Sequence, residues 1–477
     1  METAVVWFRD DLRVEDNPTL ADAVAAAEHV VPVYVFDSRR RADSQYGPAK
    51  MGTHRAQFRR ASVEDLRDSL RERGGELAVR EGLVEEVVPS IVQAVDADAV
   101  FAQTKPATEE IEREQAVRET LPESVDFQRR FTHTLYHIND LPTPYDRIDD
   151  TFTPWRKEVE DNATVRDPVA APESVSTPDL DAGAVPALSE LGLDDPPRDD
   201  RSALSFEGGE TAGQERLQHY LWDADRLRDY KSTRNGLLGP DYSSKFSPWL
   251  AAGCLSPRWI HREVKRYEDE RVSNEDTYWL LFELRWRDFF QFQFLKHGES
   301  FFTPTGIRDV DKTWTHDRTA FHQWAAGETG VPFVDANMRE LNETGYMSNR
   351  GRQNVASFLV DALGVDWRWG AAYFEEQLID YDVASNWGNW AYQAGVGNDS
   401  RDGFFNVLSQ AERYDADAEY VQTWLPELRA LPAEYAHRPW RMNADEESSY
   451  DVVLGVDYPE PMIDVEVRFS ELQATRY

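Results

Sequence analysis

Between Asp380 and Tyr392 the chain reads Asp-Tyr-Asp-Val-Ala-Ser-Asn-Trp-Gly-Asn-Trp-Ala-Tyr, gathering two carboxylates, amides and aromatic rings into a few helical turns. Asp380 and Asp382, with Asn386, Trp390 and Tyr392 behind them, suit a pocket for a large planar heterocycle that needs hydrogen bonds at its edge and aromatic neighbours. Upstream, Gly345–Phe358 brings Tyr346, Asn349, Arg350, Arg352 and Gln353. The spacing predicts a helix over Ser348–Leu363 capped by Ser348, which puts both arginines in its first turns, where the macrodipole does not favour cations. An anion must compensate them, and Asp380 is the natural partner of Arg352.

A second group lies on Thr277–Phe294, a segment apolar nearly all round and therefore expected to be a buried helix. Glu283, Trp286 and Arg287 stand at i, i+3 and i+4 and share a face. A buried acid costs several kcal/mol unless it is paired. Glu283 must then pair with Arg287 or meet a ligand. Before it, Tyr230 and the run Ser243-Ser-Lys-Phe-Ser247 place hydroxyls and backbone N–H groups at a helix start, which suits a pyrophosphate. The same serines would serve equally as turn and cap residues.

Two kinds of scaffold must hold these groups. From the N-terminus, strand-like runs at Ala4–Phe8, His29–Phe36, Glu76–Arg80, Ala99–Gln103 and Val125–Phe131 alternate with helical patterns such as Thr53–Arg73. This is βαβ alternation, expected to form a Rossmann-like parallel sheet over residues 1–140, with any ligand near the carboxyl ends of its strands. No G-x-G-x-x-G follows the first strand, so a dinucleotide fingerprint is absent. A proline-rich stretch with little periodicity over 141–212 reads as an interdomain connection, with a short helix at Phe152–Lys157. From 213 to 440 the pattern is helical, 441–477 reads as a short tail, and within it Tyr450–Tyr477 reads as β-like.

Composition limits the setting. The 477 residues carry 52 basic and 88 acidic side chains, a net charge of −36, and only eight of the basic residues are lysine. Scattered acid with arginine in place of lysine suits a protein that works in concentrated salt, where self-repulsion is screened. The excess is relaxed where it matters: residues 1–225 sum to −22, whereas 226–300 sum to +2. The single cysteine, Cys254, excludes an internal disulfide. No apolar run of membrane length or signal peptide is found, so a cytoplasmic monomer away from membranes is expected, and no metal site is expected.

These stretches together resemble the photolyase/cryptochrome family, and the form with Tyr346, Gln353 and Tyr392 is most similar to its cryptochrome-DASH branch. The resemblance runs from Val5-Val-Trp-Phe-Arg-Asp-Asp-Leu-Arg13 to Pro439-Trp440. It implies an α/β antenna domain followed by an all-helical domain holding FAD noncovalently. Tyr230, Ser243, Ser244 and Ser247 then match cofactor-phosphate positions, and Lys245 and Phe246 belong to the same cofactor-binding run. Glu283, Arg287, Asn349, Arg352, Asp380, Asp382 and Asn386 match positions around the flavin ring, with Asn386 facing its N5 edge. By the same resemblance Glu283 hydrogen-bonds a damaged base, Trp286 stacks on it, Tyr346 and Gln353 complete the substrate pocket, and Arg234 and Arg350 meet DNA. Trp390, Trp367 and Trp314 match a relay that carries electrons from the surface to the flavin. Glu109 falls where a folate antenna, 5,10-methenyltetrahydrofolate, would meet a carboxylate, although an acid in a first helical turn has a structural use as well.

The activity implied is light-driven splitting of cyclobutane pyrimidine dimers in DNA, with a blue-light photoreceptor as the alternative. Met347-Ser-Asn349 lacks the histidines expected of a (6-4) photolyase. Tyr346 and Gln353 stand where duplex-acting photolyases tend to have Trp and Met, which points to single-stranded DNA.

Overall fold

The structure, a computed structural model, describes residues 1–398 and 403–474. Five strands, β1 Thr3–Phe8, β2 His29–Phe36, β3 Ala78–Glu81, β4 Ala99–Gln103 and β5 Asp126–Arg130, form one all-parallel sheet in the order β3-β2-β1-β4-β5. Central β1 is buried along its whole length, because both sheet faces are covered and alternation gives way to a continuous apolar run. Val5, Val31, Val33 and Val100 point to a face closed by the helices Val84–Ala94 and Thr108–Thr120. Ala4, Val6, Phe8 and Phe101 point to the other, where the core runs on without a break into the helical half. The strand order reverses between β1 and β4, so the crevice beyond their carboxyl ends is the expected ligand position of the sheet.

Residues 163–206 form a strap with almost no secondary structure, held by backbone hydrogen bonds from Asp16 to Val169, Val30 to Ser176 and Val79 to Ala182. The segment expected to be a short helix at Phe152–Lys157 runs longer, Phe152–Asn162. Helices then dominate from Glu210 onward. Two expectations are corrected here. The run Ser348–Leu363 is not one regular helix: Asn349–Ser357 is α-helical, capped by Ser348 as expected, but Phe358–Ala362 widens into a π turn. Arg468 donates to Asp361 O and Ala362 O at that point, satisfying carbonyls the wider turn frees. The stretch Tyr450–Tyr477 is not β-like: its described part holds one isolated bridge, Leu454 to Tyr458, and the helix Val465–Ala474, and residues 475–477 lie outside the described ones. Asn443 and Glu446 form a capping box that starts Ala444–Tyr450, and Val465 and Phe469, one turn apart in Val465–Ala474, pack into the core. Tertiary burial outweighs the β-branched composition there.

The two halves are joined through buried charge. Asp16, fully buried, takes two hydrogen bonds from Arg258, at 2.5 and 3.0 Å, and one from Ser256. Asp288, on the long helix Glu275–His297, receives Leu135 N and Tyr136 N, each at 2.9 Å. Leu12 N and Arg13 bond to the carbonyls of Ala252 and Gly253. Gly253 is in the left-handed region, with φ 74°, and a Cβ there would stand 2.0 Å from Asp10 O. Gly253→Ala is therefore expected to lower the melting temperature well beyond the ~1–3 kcal/mol cost of a left-handed non-glycine residue. Gly239→Ala, at φ 84° with open space around it, carries the conformational cost alone and serves as the control. Equal thermal shifts for the two variants would show that the close approach at Gly253 does not matter.

Candidate functional site

A cavity of about 440 Å³ opens between the Glu275–His297 helix, the loop before the short helix Ser247–Ala252, the Asn349–Ser357 helix and the start of Val383–Gln393. It brings Tyr230, Arg234, Ser243–Ser247, Glu283, Trp286, Arg287, Tyr346, Asn349, Arg350, Arg352, Gln353, Asp380 and Asp382 to one wall or another. Long-range contacts, not sequence proximity, assemble it.

Its centre is Asp380. The carboxylate, 2% exposed, accepts from Arg352 at 2.8 Å and from Ser247 Oγ at 2.6 Å, so one buried acid ties together three separated segments. The expected Arg352–Asp380 pair is present. Burial alone would lower the Arg352 guanidinium, but Asp380 beside it holds it above its ordinary range. Asp382 caps the Val383–Gln393 helix through Ser385 N and also takes Gln291 Nε2, both at 2.8 Å. Burial would raise its carboxyl; Lys105, Arg287 and the Ser385 N–H bring it below the usual range instead. Asn386 is buried one layer behind and donates to Ala371 O at 2.9 Å.

The long helix supplies the opposite wall. Its start is fixed by a capping box between Asn274 and Thr277. The partner of Glu283 differs from expectation: Arg234, not Arg287, is ion-paired to it. Arg287 turns toward the sheet domain and donates to His133 O and Leu250 O. Burial raises the Glu283 carboxyl, and Arg234 offsets part of that. Trp286 stacks face to face on Phe152, ring centroids 3.7 Å apart, and meets Tyr392 edge-on at 6.3 Å. Arg350 is also committed, bonded to Asn235 Oδ1 and Gln410 Oε1 and lying over the Tyr414 ring. Asn235, Tyr242, Gln291, Ser385 and Asn389 were not singled out from sequence. Gln291 could have been, because it continues the stripe of Glu283 and Arg287 at i+8.

Several buried polar atoms around the cavity have no protein partner among the described residues: Lys245 Nζ, Asp380 Oδ1, Gln353 Oε1, Gln291 Oε1 and the Nε atoms of Arg234 and Arg350. Unsatisfied donors and acceptors on this scale are costly, which marks the wall as built for a polar ligand with both anionic and hydrogen-bonding parts. Lys245 is the sharpest case. It adopts φ 55°, its ammonium lies 3.1 Å from the Tyr242 ring centroid, and burial lowers it to about 6.

Trp390 packs against Trp324 and Phe374. Trp367 is fully buried at the start of Trp367–Gln377 and meets Trp387 edge-on at 5.8 Å, while half-buried Trp314 donates its indole N–H to Pro304 O and directly precedes the backbone tie of Thr315 to Gly364 and Asp366.

A second cavity, about 450 Å³, opens beyond the carboxyl ends of β1 and β4, at the reversal point of the sheet, and includes Asp10, Lys105, Glu109, Tyr46 and Trp387. Ala251 and Asp382 line both cavities, so one wall separates them. Glu109 is exposed and held by Lys50 and by Arg113 at 3.0 Å. Among the described residues no cluster of His, Cys, Asp or Glu is arranged to hold a metal ion, and no helix is long and apolar enough to cross a membrane.

A parallel α/β sheet domain joined to a helical domain around a deep polar and aromatic cavity is the architecture of the photolyases. Residues 4–173 match the DNA photolyase family and residues 279–476 the FAD binding domain of DNA photolyase. The chain is 68% identical to a cryptochrome DASH of Natronomonas pharaonis, covering 99% of this chain and 100% of that one. The crystal structure of a Synechocystis cryptochrome superposes with a TM-score of 0.95 at 47% identity, over 98% of this chain and 99% of that one. A class III photolyase from Agrobacterium tumefaciens gives 0.84 at 29%, over 100% and 98%. The chain belongs to the cryptochrome DASH branch of the photolyase family.

The buried amine gives a pH test of the site itself. Between pH about 6 and its ordinary 10.5, Lys245 holds fewer protons in the folded chain than in the unfolded one. Its contribution to stability therefore rises with pH across that window and is least favourable below about 6. In urea unfolding of the ligand-free protein, Lys245→Met should gain most over the wild type near the acid end, with the gain shrinking toward the alkaline end. A difference independent of pH would show that the amine does not titrate in this range.

Proposed function

We propose that the chain holds FAD in the cavity centred on Asp380 and uses blue light to split cyclobutane pyrimidine dimers, preferring single-stranded DNA. The observation that carries this reading is the pairing of two unlike walls across one cavity. On one side stands the Asp380–Arg352–Ser247 cluster; on the other stands Glu283, held by Arg234, beside Trp286 stacked on Phe152.

The residues fit FAD. Lys245 Nζ and the Ser243–Ser247 loop offer donors to a pyrophosphate, and a bound anion would restore the Lys245 ammonium. Arg352, Asp380 and Asp382 offer donors and acceptors to the ring edge, with Asn386 one layer behind them. When bound and reduced, FAD supplies the excited electron for the chemistry, while the protein provides position and electrostatics. Glu283, its carboxyl raised by burial and held in place by Arg234, suits a hydrogen bond to a pyrimidine base. Trp286 gives the extruded bases a stacking surface. Trp390, Trp367 and Trp314 suit a relay that charges oxidised cofactor from outside. The neighbouring cavity suits a second chromophore of folate type, with Asp382 and Ala251 between the two. The extrusion step is the general one for photolyases.

Strand preference follows from energetics. Extracting a base from a duplex costs a few kcal/mol, and least when it is already unpaired. Tyr346 and Gln353 make a more polar pocket than the Trp and Met of duplex-acting relatives. Stacking is worth ~1–3 kcal/mol per base, so one lost apolar wall consumes the margin. A second reading, a blue-light photoreceptor that repairs little, is favoured by the cryptochrome names of the relatives at 68% and 47% identity.

Illumination of the reduced protein with one thymine dimer in single-stranded and in fully paired oligonucleotide separates these readings. Rapid repair of the single strand and slow repair of the duplex are expected, with duplex repair gained by the Tyr346→Trp, Gln353→Met double variant. Equal rates on both substrates would overturn the preference, and absence of repair on either would replace repair with photoreception. Trp390→Phe should stop light-driven reduction of oxidised flavin, followed as bleaching of its absorption band. An unchanged rate would reject the relay.

A further inference from the structure

The long helix carries more rings than the cavity uses. Trp279, Phe282, Trp286 and Phe290 follow one another at i, i+3, i+7 and i+11, so they line one face. The last three line the cavity, whereas Trp279 lies one turn outside it, toward the exposed N-terminal end of the helix. The rings form a continuous column. Trp279 stacks on Phe282 with centroids 4.6 Å apart at 25°; Phe282 meets Phe152 edge-on at 5.2 Å; Phe152 stacks on Trp286 at 3.7 Å. Trp279 keeps part of its surface in solvent although its indole N–H is buried, so what it presents is ring.

Two cations stand over that ring: Lys231 Nζ at 4.5 Å from the centroid and the Arg234 guanidinium at 5.4 Å. Both already have carboxylates, Glu275 for Lys231 and Glu283 for Arg234. A phosphate would have to displace those acids, so the chemistry of the rim favours a base over a backbone. Lys231 is more than a third exposed, as is Glu275. An exposed ion pair and an exposed cation–π contact are each weaker than a base stacked on an aromatic ring.

We propose that Trp279, backed by Phe282, is a stacking subsite for an unpaired nucleobase next to the lesion in single-stranded DNA, with Lys231 swinging off the ring as the base arrives. The inference rests on the repair reading, since it is the lesion in the cavity that puts a flanking nucleotide at the rim. It also gives single strands a grip that a duplex cannot use, because a paired flanking base is not free to stack on the rim.

The test uses FAD-loaded protein and short single-stranded oligonucleotides with one thymine dimer, carrying either a normal base or an abasic site at each flanking position. Affinity is read by fluorescence anisotropy for wild type, Trp279→Leu and Trp279→Phe. At one flanking position Trp279→Leu should weaken binding of the base-bearing strand about tenfold, within the range expected for one stacked base, and leave the abasic strand unchanged. Trp279→Phe should keep most of the affinity, and flavin content and melting temperature show whether each variant is folded. An equal loss on base-bearing and abasic strands, or no loss on either, overturns the subsite. Repair by the same wild-type preparation keeps the two readings apart: repair without the base-dependent loss removes the subsite alone, and base-dependent loss without repair removes the repair reading alone.

Discussion

A carboxylate taken out of water needs compensation on the order of several kcal/mol, and the site is organised by that need at Asp380. Arg352 and Ser247 both satisfy it, and they come from elements that are far apart in the chain. Once Asp380 is placed, the loop before Ser247 and the helix after Ser348 have little freedom left. The same requirement sets the domain interface, where Asp16 draws Arg258 and Ser256 together and Asp288 holds the loop at Leu135 and Tyr136. Burial raises the Asp288 carboxyl to about 7, and its two backbone N–H donors, which favour the ionised form, offset part of that rise.

Such a design interacts with the acidity of the chain. With 88 acids against 52 bases, arginines near the site are rarely spare. Arg234 is taken by Glu283, Arg352 by Asp380, Arg258 by Asp16, and Arg350 by two amides and a tyrosine ring. The planar, always charged guanidinium suits these buried, several-bond roles better than lysine, whose pKa falls readily on burial, as at Lys245, where it drops to about 6.

Much of the scaffold was legible because its signals are local. The bounds of β2 and β4 follow from apolar runs between turns, and the burial of the Glu275–His297 helix follows from its apolar composition. The Asp380–Arg352 pair was legible because two unfavourable placements, an acid in a buried stretch and an arginine in a first helical turn, each called for the other. The partner of Glu283 was not. Helical spacing offered Arg287, but Arg287 is drawn to the carbonyls of His133 and Leu250, and Arg234 arrives from a separate element whose proximity only the fold creates. The tail failed for a related reason: Val465 and Phe469 look strand-like locally, and it is their burial against the helical core that fixes a helix. The π turn at Phe358–Ala362 has its end carbonyls bonded by Arg468, more than a hundred residues on, and nothing near Phe358 announces it.

These pairings bear on how a chain so negative could hold a polyanion. Phosphate binding releases counterions and weakens steeply with salt when many free cations take part. Here the cations closest to the cavity are already bound to carboxylates or amides, so few remain to be counted in such a slope. The aromatic column from Trp279 to Trp286 does not depend on charge, and stacking is little affected by screening. On the reading proposed above, a protein whose surface acid is best tolerated in concentrated salt would gain by moving nucleic-acid affinity from charge to rings. The relaxation of net charge over residues 226–300, a stretch that supplies much of the cavity lining, fits that reading: it would lessen repulsion of a polyanion there and leave attraction to contacts that salt does not weaken.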